Sequence, residues 1–107
     1  MLSKINRLRR KRDFGIVFKK GKRTKGDCLF LQVAANRLGY NRQGFVISKD
    51  VSKKAVVRNR LRRRLKTLAE LSSDNGFDMV FVAQSGLERK SFADLKKIVE
   101  QLLKKAV

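Results

Sequence analysis

Apolar residues recur at helical spacing in three segments of the chain, and each segment predicts an amphipathic helix. The first covers residues 13–20 and is followed by Gly21, which favours the end of a helix. The second has Asp50 or Ser52 as its candidate N-cap and runs to about Leu71. The apolar stripes of these two helices are Phe14, Val17 and Phe18, and then Val57, Leu61, Leu65, Leu68 and Leu71.

The third helix is predicted over residues 91–105, at the C-terminal end of the sequence. Ser91 and Asp94 form an S-x-x-D capping signature at its start. Apolar residues then follow at the spacing of one helix face, so this helix is expected to pack on the core. Its core stripe is Phe92, Leu95, Val99 and Leu102.

Three shorter apolar runs lack helical spacing and predict β-strands over residues 28–35, 44–48 and 78–83. The first two are joined by a loop rich in turn-forming residues, so they are predicted to form an antiparallel hairpin. The near-continuous apolar run of the third indicates a buried strand. The order α-β-β-α-β-α therefore predicts an α+β fold, a single-domain α-β sandwich over residues 1–107 in which helices cover a small mixed sheet in two or three layers.

Positive charge is concentrated in the first two thirds of the chain. Residues 1–69 contain 22 Lys and Arg but only 3 Asp and Glu, whereas residues 70–107 contain 6 of each, so the first part carries the whole formal charge of +19. Such self-repulsion destabilises a compact chain, and it is typical of proteins that neutralise phosphates. Nucleic acid is therefore the leading candidate partner. Residues 1–12 are predicted to form a basic N-terminal arm that becomes ordered against that partner.

The second helix is the strongest indication of such a partner. Residues 53–66 hold eight basic residues and no acidic one. A solvated helix would intersperse Glu at i+4 spacing, whereas like charges on one face favour contact with a polyanion. Arg60 and Arg64 lie nearer the apolar stripe, where their stems can pack while their charged ends reach outward. The face opposite the stripe consists of Arg58, Asn59, Arg62, Arg63 and Lys66. The Asn59 amide could hydrogen-bond a base edge, a ribose 2′-OH or the local backbone.

Residues suited to catalysis are scarce. The chain has no His, no plausible set of zinc ligands and no phosphate-binding loop. Its one cysteine, Cys28, lies in an apolar run, where a buried structural thiol is expected. A single cysteine excludes an internal disulfide and suits a reducing cytosol, and no apolar run is long enough to span a membrane or to follow the basic N-terminus as a signal peptide. We therefore expect a cytoplasmic protein that does not contact a membrane and whose partner supplies any chemistry.

The segment AVVRNRLRRRLK resembles the signature of the bacterial ribonuclease P protein component, the small basic subunit of the ribozyme that removes the 5′ leader from precursor tRNA. The resemblance covers nearly the whole chain. LRRKRDFGIVFKKGKR is similar to the N-terminal arm and first helix of the family, and GFVISK to its second strand. GFDMVFVAQ and SFADLKKIVEQLL follow in the order of the family's third strand and last helix.

The resemblance implies a fold, a partner and a division of labour. The crossover through the signature helix would be left-handed, against the usual right-handed sense. Catalysis would belong to the RNA subunit and its Mg²⁺, with no metal held by protein residues alone and no obligate protein partner. The residues expected to bind the catalytic RNA are Arg58, Asn59, Arg60, Arg62, Arg63 and Lys66. Those expected at the cleft for the 5′ leader of precursor tRNA are Phe14, Phe18, Lys49 and Gln32. The basic arm comprises Arg9, Arg10, Lys11 and Arg12.

Several alternatives stay open at the level of the sequence. Phe14 and Phe18 fit a core stripe, but in a cleft they could stack on nucleotides. Asp50 stands where the family commonly has a second lysine. Gln32 shares a face of its strand with Phe30, and family members often carry an aromatic residue on that strand facing the leader cleft. A ribosomal or other structural RNA-binding protein would explain the same charge. A stand-alone nuclease would need metal ligands or a general base that the sequence does not offer.

Overall fold

A computed structural model of the chain describes Leu8, residues 11–70 and residues 76–106. A 3₁₀ turn, Leu87–Arg89, precedes the last helix. The helices and strands, in chain order, are α1 (Lys11–Lys20), β1 (Lys22–Lys25), β2 (Leu29–Ala35), β3 (Arg42–Val46), α2 (Ala55–Ala69), β4 (Phe77–Ala83) and α3 (Phe92–Ala106).

The four strands form one mixed sheet in the order β1-β2-β4-β3. Strand β4 runs antiparallel to β2 and parallel to β3. The predicted hairpin between the second and third apolar runs is therefore wrong, because β4 lies between β2 and β3. The sequence FDMVFVA is apolar on both faces, which suits the central position in a sheet covered on both sides.

Strand β1 is absent from the predicted order of elements, so the sequence analysis missed it. Residues KRTK pair antiparallel with β2, from Lys22 opposite Val33 to Lys25 opposite Phe30. A strand with this composition suits the edge of a sheet, where its lysines stay in solvent and discourage pairing with another chain. The element order is accordingly α-β-β-β-α-β-α.

Helices cover both faces of the sheet, so the sandwich has three layers. On one face α2 and α3 enclose the larger core, to which β4 contributes Met79 and Phe81. On the other face α1 packs through Val17 against Val80, with Leu8 beside them. The α+β architecture with a small mixed sheet covered by helices is confirmed. The left-handed sense of the β3–α2–β4 crossover stays a prediction.

The C-terminal end of α1 is as predicted, whereas the helix begins two residues earlier than predicted, at Lys11. Gly21 follows the helix as predicted, and its N–H donates to the Val17 carbonyl oxygen at 2.7 Å. A Cβ at Gly21 would collide with that same oxygen, so the close approach requires glycine. At the other end, Lys11 and Arg12 belong to the first turn of the helix instead of the arm. Residues 9 and 10 of the arm lie outside the described part of the chain.

The start of α2 also corrects the sequence analysis. The N-cap position is Lys54, whose side chain makes no capping hydrogen bond, so neither Asp50 nor Ser52 caps the helix. The Ser52 hydroxyl instead accepts from the Lys54 N–H at 3.2 Å, and Asp50 lies in the preceding turn. The helix begins two residues later than a Ser52 cap would require, because these residues are used to close that turn. Leu71, the predicted end, lies outside the described residues.

The stripes of α2 and α3 are confirmed except near their ends. Leu61, Leu65 and Leu68 are buried, and Val57 is partly exposed. In α3 the predicted stripe is wrong at Phe92, which is 42% exposed because it is the first residue of the helix and projects beyond the core. The other three stripe residues of α3 are buried, as is Ile98, which the stripe omitted.

Candidate RNA interface

The basic face of α2, comprising Arg58, Asn59, Arg62, Arg63 and Lys66, is turned away from the core. Its position follows from the opposite side of the helix, where the leucines are buried against the sheet. Each member of the face is at least partly exposed. None of the ion pairs between described residues involves an α2 side chain. The face therefore presents unneutralised charge, as contact with a polyanion would require.

Two arginines of the basic face are held by local hydrogen bonds. Arg58 donates from Nη1 to the Ser52 carbonyl oxygen at 2.9 Å, which ties the start of α2 to the preceding turn. Arg62 donates from Nη1 to Oδ1 of Asn59 at 3.1 Å. A guanidinium group has five N–H donors, so most of its hydrogen-bonding capacity remains in both residues. These contacts orient the two groups before any ligand is bound.

Asn59 has a defined local role in this arrangement. Its Oδ1 accepts from a neighbouring arginine and does not contact the backbone. The amide NH₂ is the part of the side chain that can still donate to a ligand acceptor. The sequence left a base edge, a ribose 2′-OH and the local backbone as possible partners of Asn59. A base edge or a ribose hydroxyl would accept a hydrogen bond from this NH₂ group.

Of the four predicted leader-cleft residues, Phe14 and Phe18 lie in α1, and Gln32 lies on the face of the sheet that α1 covers. Gln32 is only 8% exposed and lies opposite Arg23 on one side and Val80 on the other. The Arg23 guanidinium packs over the Phe30 ring at 3.9 Å from its centroid, a cation–π geometry. Lys49 is exposed in the turn that follows β3. The placement of Phe30 and Gln32 on one face is thus as expected. Lys49 lies outside its strand, as the predicted bounds 44–48 require, and β3 ends earlier than predicted, at Val46.

The two aromatic residues of α1 have different environments. Phe14 is half-buried, and its ring lies so close to β3 that a Cβ at Gly44 would be 2.5 Å from ring atom Cζ. Phe14 also packs with the buried residues Val17 and Val80. Phe18, one turn later, is 43% exposed. The core interpretation therefore fits Phe14, whereas Phe18 keeps a ring surface that a nucleotide could reach.

Substitution of each ring should separate these two roles. Phe14→Ala is expected to lower the free energy of unfolding by about 2 kcal/mol, because it leaves a cavity above Gly44. Phe18→Ala should change it by less than about 0.5 kcal/mol, because much of that ring is already in water. Urea denaturation of both variants measures the difference. Equal losses of stability would contradict the distinction.

A polar network fixes the position of α1 over the sheet. Asp78, 6% exposed, accepts from Arg42 Nε at 2.8 Å and from Arg42 Nη2 at 2.6 Å. Asp78 also accepts from Asn36 Nδ2 at 2.8 Å, and Arg42 Nη1 lies 3.5 Å from Asp13 Oδ2 in α1. The hydrogen bond that Arg42 donates to Asp78 is the main cause that raises the pKa of Arg42. The network joins α1, β3, β4 and the loop after β2.

The sequence analysis missed this network, although the sequence carries a signal for it. Arg42 and Asp78 stand at the same end of two neighbouring parallel strands and are register partners. Arg42 stands two residues before the predicted strand 44–48, and Asp78, of opposite charge, is the first residue of the predicted strand 78–83. Opposite charges at the start of two strands would have suggested such a pair. Strand β3 was predicted to begin at Gly44, so Arg42 was assigned to a loop and its partner was overlooked.

The residues considered for other chemistry do not form a site. Cys28 precedes β2, is partly exposed and has a φ of 59°, so the expectation of a buried thiol within a strand is wrong. Partial desolvation of the sulfur, together with its hydrogen bond to Asp27, raises the pKa of Cys28 and keeps the thiol protonated at neutral pH. In the described ranges no three His, Cys, Asp or Glu side chains are grouped to hold a metal ion. Among those same residues, no helix is both long and apolar enough to cross a membrane.

Comparison with known sequences gives a consistent result. The family model for ribonuclease P matches residues 2–107. The ribonuclease P protein component of Clostridium kluyveri is 38% identical over 107 residues, with 95% of each chain covered. The ribonuclease P protein component of Syntrophomonas wolfei is 37% identical, and the match covers 99% of this chain and 91% of the relative.

Solved structures agree with the sequence comparison. The RNase P protein of Thermotoga maritima, solved in complex with 1-(4-fluorophenyl)-2-thiourea, has a TM-score of 0.85 at 30% identity, with 92% of this chain and 98% of the other covered. The RNase P protein of Staphylococcus aureus has a TM-score of 0.87 over 94% of each chain, and at 22% identity it supports the fold alone. The family match over almost every residue, with this agreement in fold, shows that the chain belongs to the ribonuclease P protein family.

Proposed function

We propose that this chain is the protein subunit of ribonuclease P, an accessory RNA-binding protein that assists removal of the 5′ leader from precursor tRNA in the cytoplasm. The observation that carries the proposal is the unneutralised basic face of α2 in a chain of this family. In this proposal the RNA subunit performs the cleavage, and the protein alone is inactive.

The basic face of α2 would hold the catalytic RNA. Arginine binds phosphate oxygens through two parallel N–H donors, and Arg58 and Arg62 already have their guanidinium groups oriented. Each phosphate that is neutralised releases counterions, so binding should weaken steeply as the salt concentration rises. Arg60 and Lys66 of the same helix would also contact the catalytic RNA. The exposed Lys11 and Arg12 of α1 would add contacts together with Arg9 and Arg10.

The 5′ leader would lie along the α1 side of the sheet. The exposed ring of Phe18 can stack on a base, an interaction worth roughly 1–3 kcal/mol that tolerates any sequence. Phe14 would support that surface from the core. Gln32 could hydrogen-bond a base edge, and Lys49, in the turn after β3, could contact a leader phosphate. Such sequence tolerance suits a protein whose substrates differ in their leaders.

Magnesium belongs to the RNA in this proposal. The carboxylates of the described residues are engaged with basic side chains or scattered, and none of them form a group that fits a metal ion. When bound to the RNA, Mg²⁺ would stabilise the charge that develops on the cleaved phosphodiester. The protein would contribute by neutralising nearby phosphates, which lowers the repulsion between the two RNAs.

Reconstitution with the catalytic RNA and a precursor tRNA tests the proposal. Addition of the protein at moderate salt is expected to lower the magnesium concentration needed for cleavage and to favour precursor over mature tRNA. The Phe18→Ala variant should lose about 5-fold or more of the preference for precursor while the catalytic RNA is still bound. Cleavage that is unchanged by the protein would contradict the proposal and leave a structural RNA-binding protein as the alternative. Cleavage by the protein without RNA would indicate a stand-alone nuclease.

A further inference from the structure

A groove lies between α2 and the start of α3, on the sheet face opposite the proposed leader cleft. Its volume is about 230 Å³, and it is open to solvent. Phe92 is held at its rim because Ser91 caps α3, accepting from the Asp94 N–H at 3.1 Å. The residues that line it are Arg60, Arg63, Arg64, Thr67 and Phe92.

The chemistry of this groove is unusual for a surface depression. Three arginines surround one exposed aromatic ring, and within residues 11–70 and 76–106 none of the three donates a hydrogen bond to a carboxylate. The Thr67 hydroxyl donates to the Arg63 carbonyl oxygen at 3.1 Å, so it is satisfied by the helix itself. Guanidinium groups that lack a carboxylate partner are free to bind an anion. The ring offers a flat apolar surface beside them.

We propose that this groove takes one unpaired base of the catalytic RNA, stacked on the Phe92 ring, with the flanking phosphates held by Arg60, Arg63 and Arg64. The inference rests on the proposed function and goes beyond it by assigning a site for a single extruded nucleotide. It also gives a role to Arg64, which lies outside the basic face of α2 and has none in the proposed function, and it assigns Arg60 to a defined contact.

The dimensions and charge of the groove favour this occupant over two others. Pockets that enclose whole small molecules usually measure roughly 300–1,000 Å³, so the groove is too small and too open for a cofactor. A protein partner would have to bring carboxylates to three arginines. An unpaired nucleotide supplies both a flat ring for Phe92 and phosphates for the arginines, and single-stranded RNA is commonly bound in this way.

The test uses the absence of tryptophan from the chain. In the Phe92→Trp variant the new indole is the only one, and its emission should be quenched when the catalytic RNA is added, with affinity kept. Phe92→Ala and Phe92→Leu should each weaken binding of the catalytic RNA by between about 5-fold and 100-fold, because both lose the stacking surface. Leu38→Ala is the matched control, since Leu38 is a similarly exposed apolar residue in a loop without this arginine cluster.

The results distinguish failure of the groove proposal from failure of the proposed function. If the wild-type protein binds the catalytic RNA and both Phe92→Ala and Phe92→Leu bind it equally well, the groove does not take a base, although the proposed function stands. If the wild-type protein does not bind this RNA, the proposed function itself fails. A change from dimer to monomer in Phe92→Ala, measured by sedimentation, would show that the groove binds a second copy and would overturn the inference.

Discussion

The double substitution Arg58→Gln and Arg62→Gln is expected to weaken binding of the catalytic RNA about 100-fold near 0.1 M salt. A hydrogen bond to a charged group contributes roughly 1.5–3 kcal/mol. At the lower end of that range the loss of two phosphate contacts costs about 3 kcal/mol, which corresponds to roughly this factor. The slope of log affinity against log salt should become shallower by roughly 2, because each phosphate contact contributes about one unit. Filter binding at four or more salt concentrations measures both quantities.

A matched control separates local contact from general charge. Lys104 and Lys105 are exposed in the last turn of α3, and their replacement by Gln removes the same charge away from α2. This control should change affinity by less than about 3-fold, because exposed charges farther apart than about 10 Å are largely screened at this ionic strength. Equal losses in the two variants would show that only net charge matters. The interface would then have to be assigned elsewhere.

The Asp78→Ala variant is expected to lose about 3 kcal/mol of the free energy of unfolding. Its carboxylate is buried and accepts from both Arg42 and Asn36, so truncation leaves a charged donor and an amide donor without their acceptor. Removal of one partner from a buried pair typically costs 3–5 kcal/mol, and the partial exposure of Arg42 places this case at the lower end. Urea denaturation at neutral pH measures the loss.

Two comparison variants show whether the loss of stability in Asp78→Ala comes from the polar network or from the removal of any carboxylate. Asp50→Ala removes an exposed carboxylate and should change stability by less than about 0.5 kcal/mol. Asp13→Ala removes the longer contact to Arg42 and should have an intermediate effect, since that pair is 3.5 Å apart. An Asp78→Ala protein as stable as Asp50→Ala would contradict the role given to the network. Because α1 is attached through this network, the Asp78→Ala variant should also bind the leader more weakly.

Local periodicity predicted the helices well, because a helix face is set by residues three and four apart. Leu61, Leu65 and Leu68 are buried as their spacing indicates. Periodicity fails at the helix ends, where burial depends on what lies beyond the element. Phe92 continues the stripe of α3 in sequence, yet nothing covers it in the described structure beyond the groove wall.

Strand pairing was predicted less well, because it depends on contacts far apart in the chain. The loop after β2 reads as a hairpin turn, but its Asn36 N–H donates to the Gly76 carbonyl oxygen beside β4. Strand β1 is held to β2 by backbone hydrogen bonds, and these leave no apolar pattern in the sequence KRTK. The residues proposed to face RNA were predicted from charge and from the family resemblance, and their role stays a prediction. Only the structure separates the surroundings of Phe14 from those of Phe18.

The central position of β4 has a consequence for the order in which the chain can fold during synthesis. Strand β3 pairs with no strand except β4 in the described sheet, and β4 begins at Phe77. When β4 emerges from the ribosome, all the excess positive charge has already emerged, since it lies within residues 1–69. The nascent chain is therefore a polycation without a complete sheet, surrounded by ribosomal and messenger RNA that attract it without selectivity. In the proposed function, selective recognition of RNA therefore begins only after β4 has been synthesised, because β4 completes the sheet that positions α1 and α2.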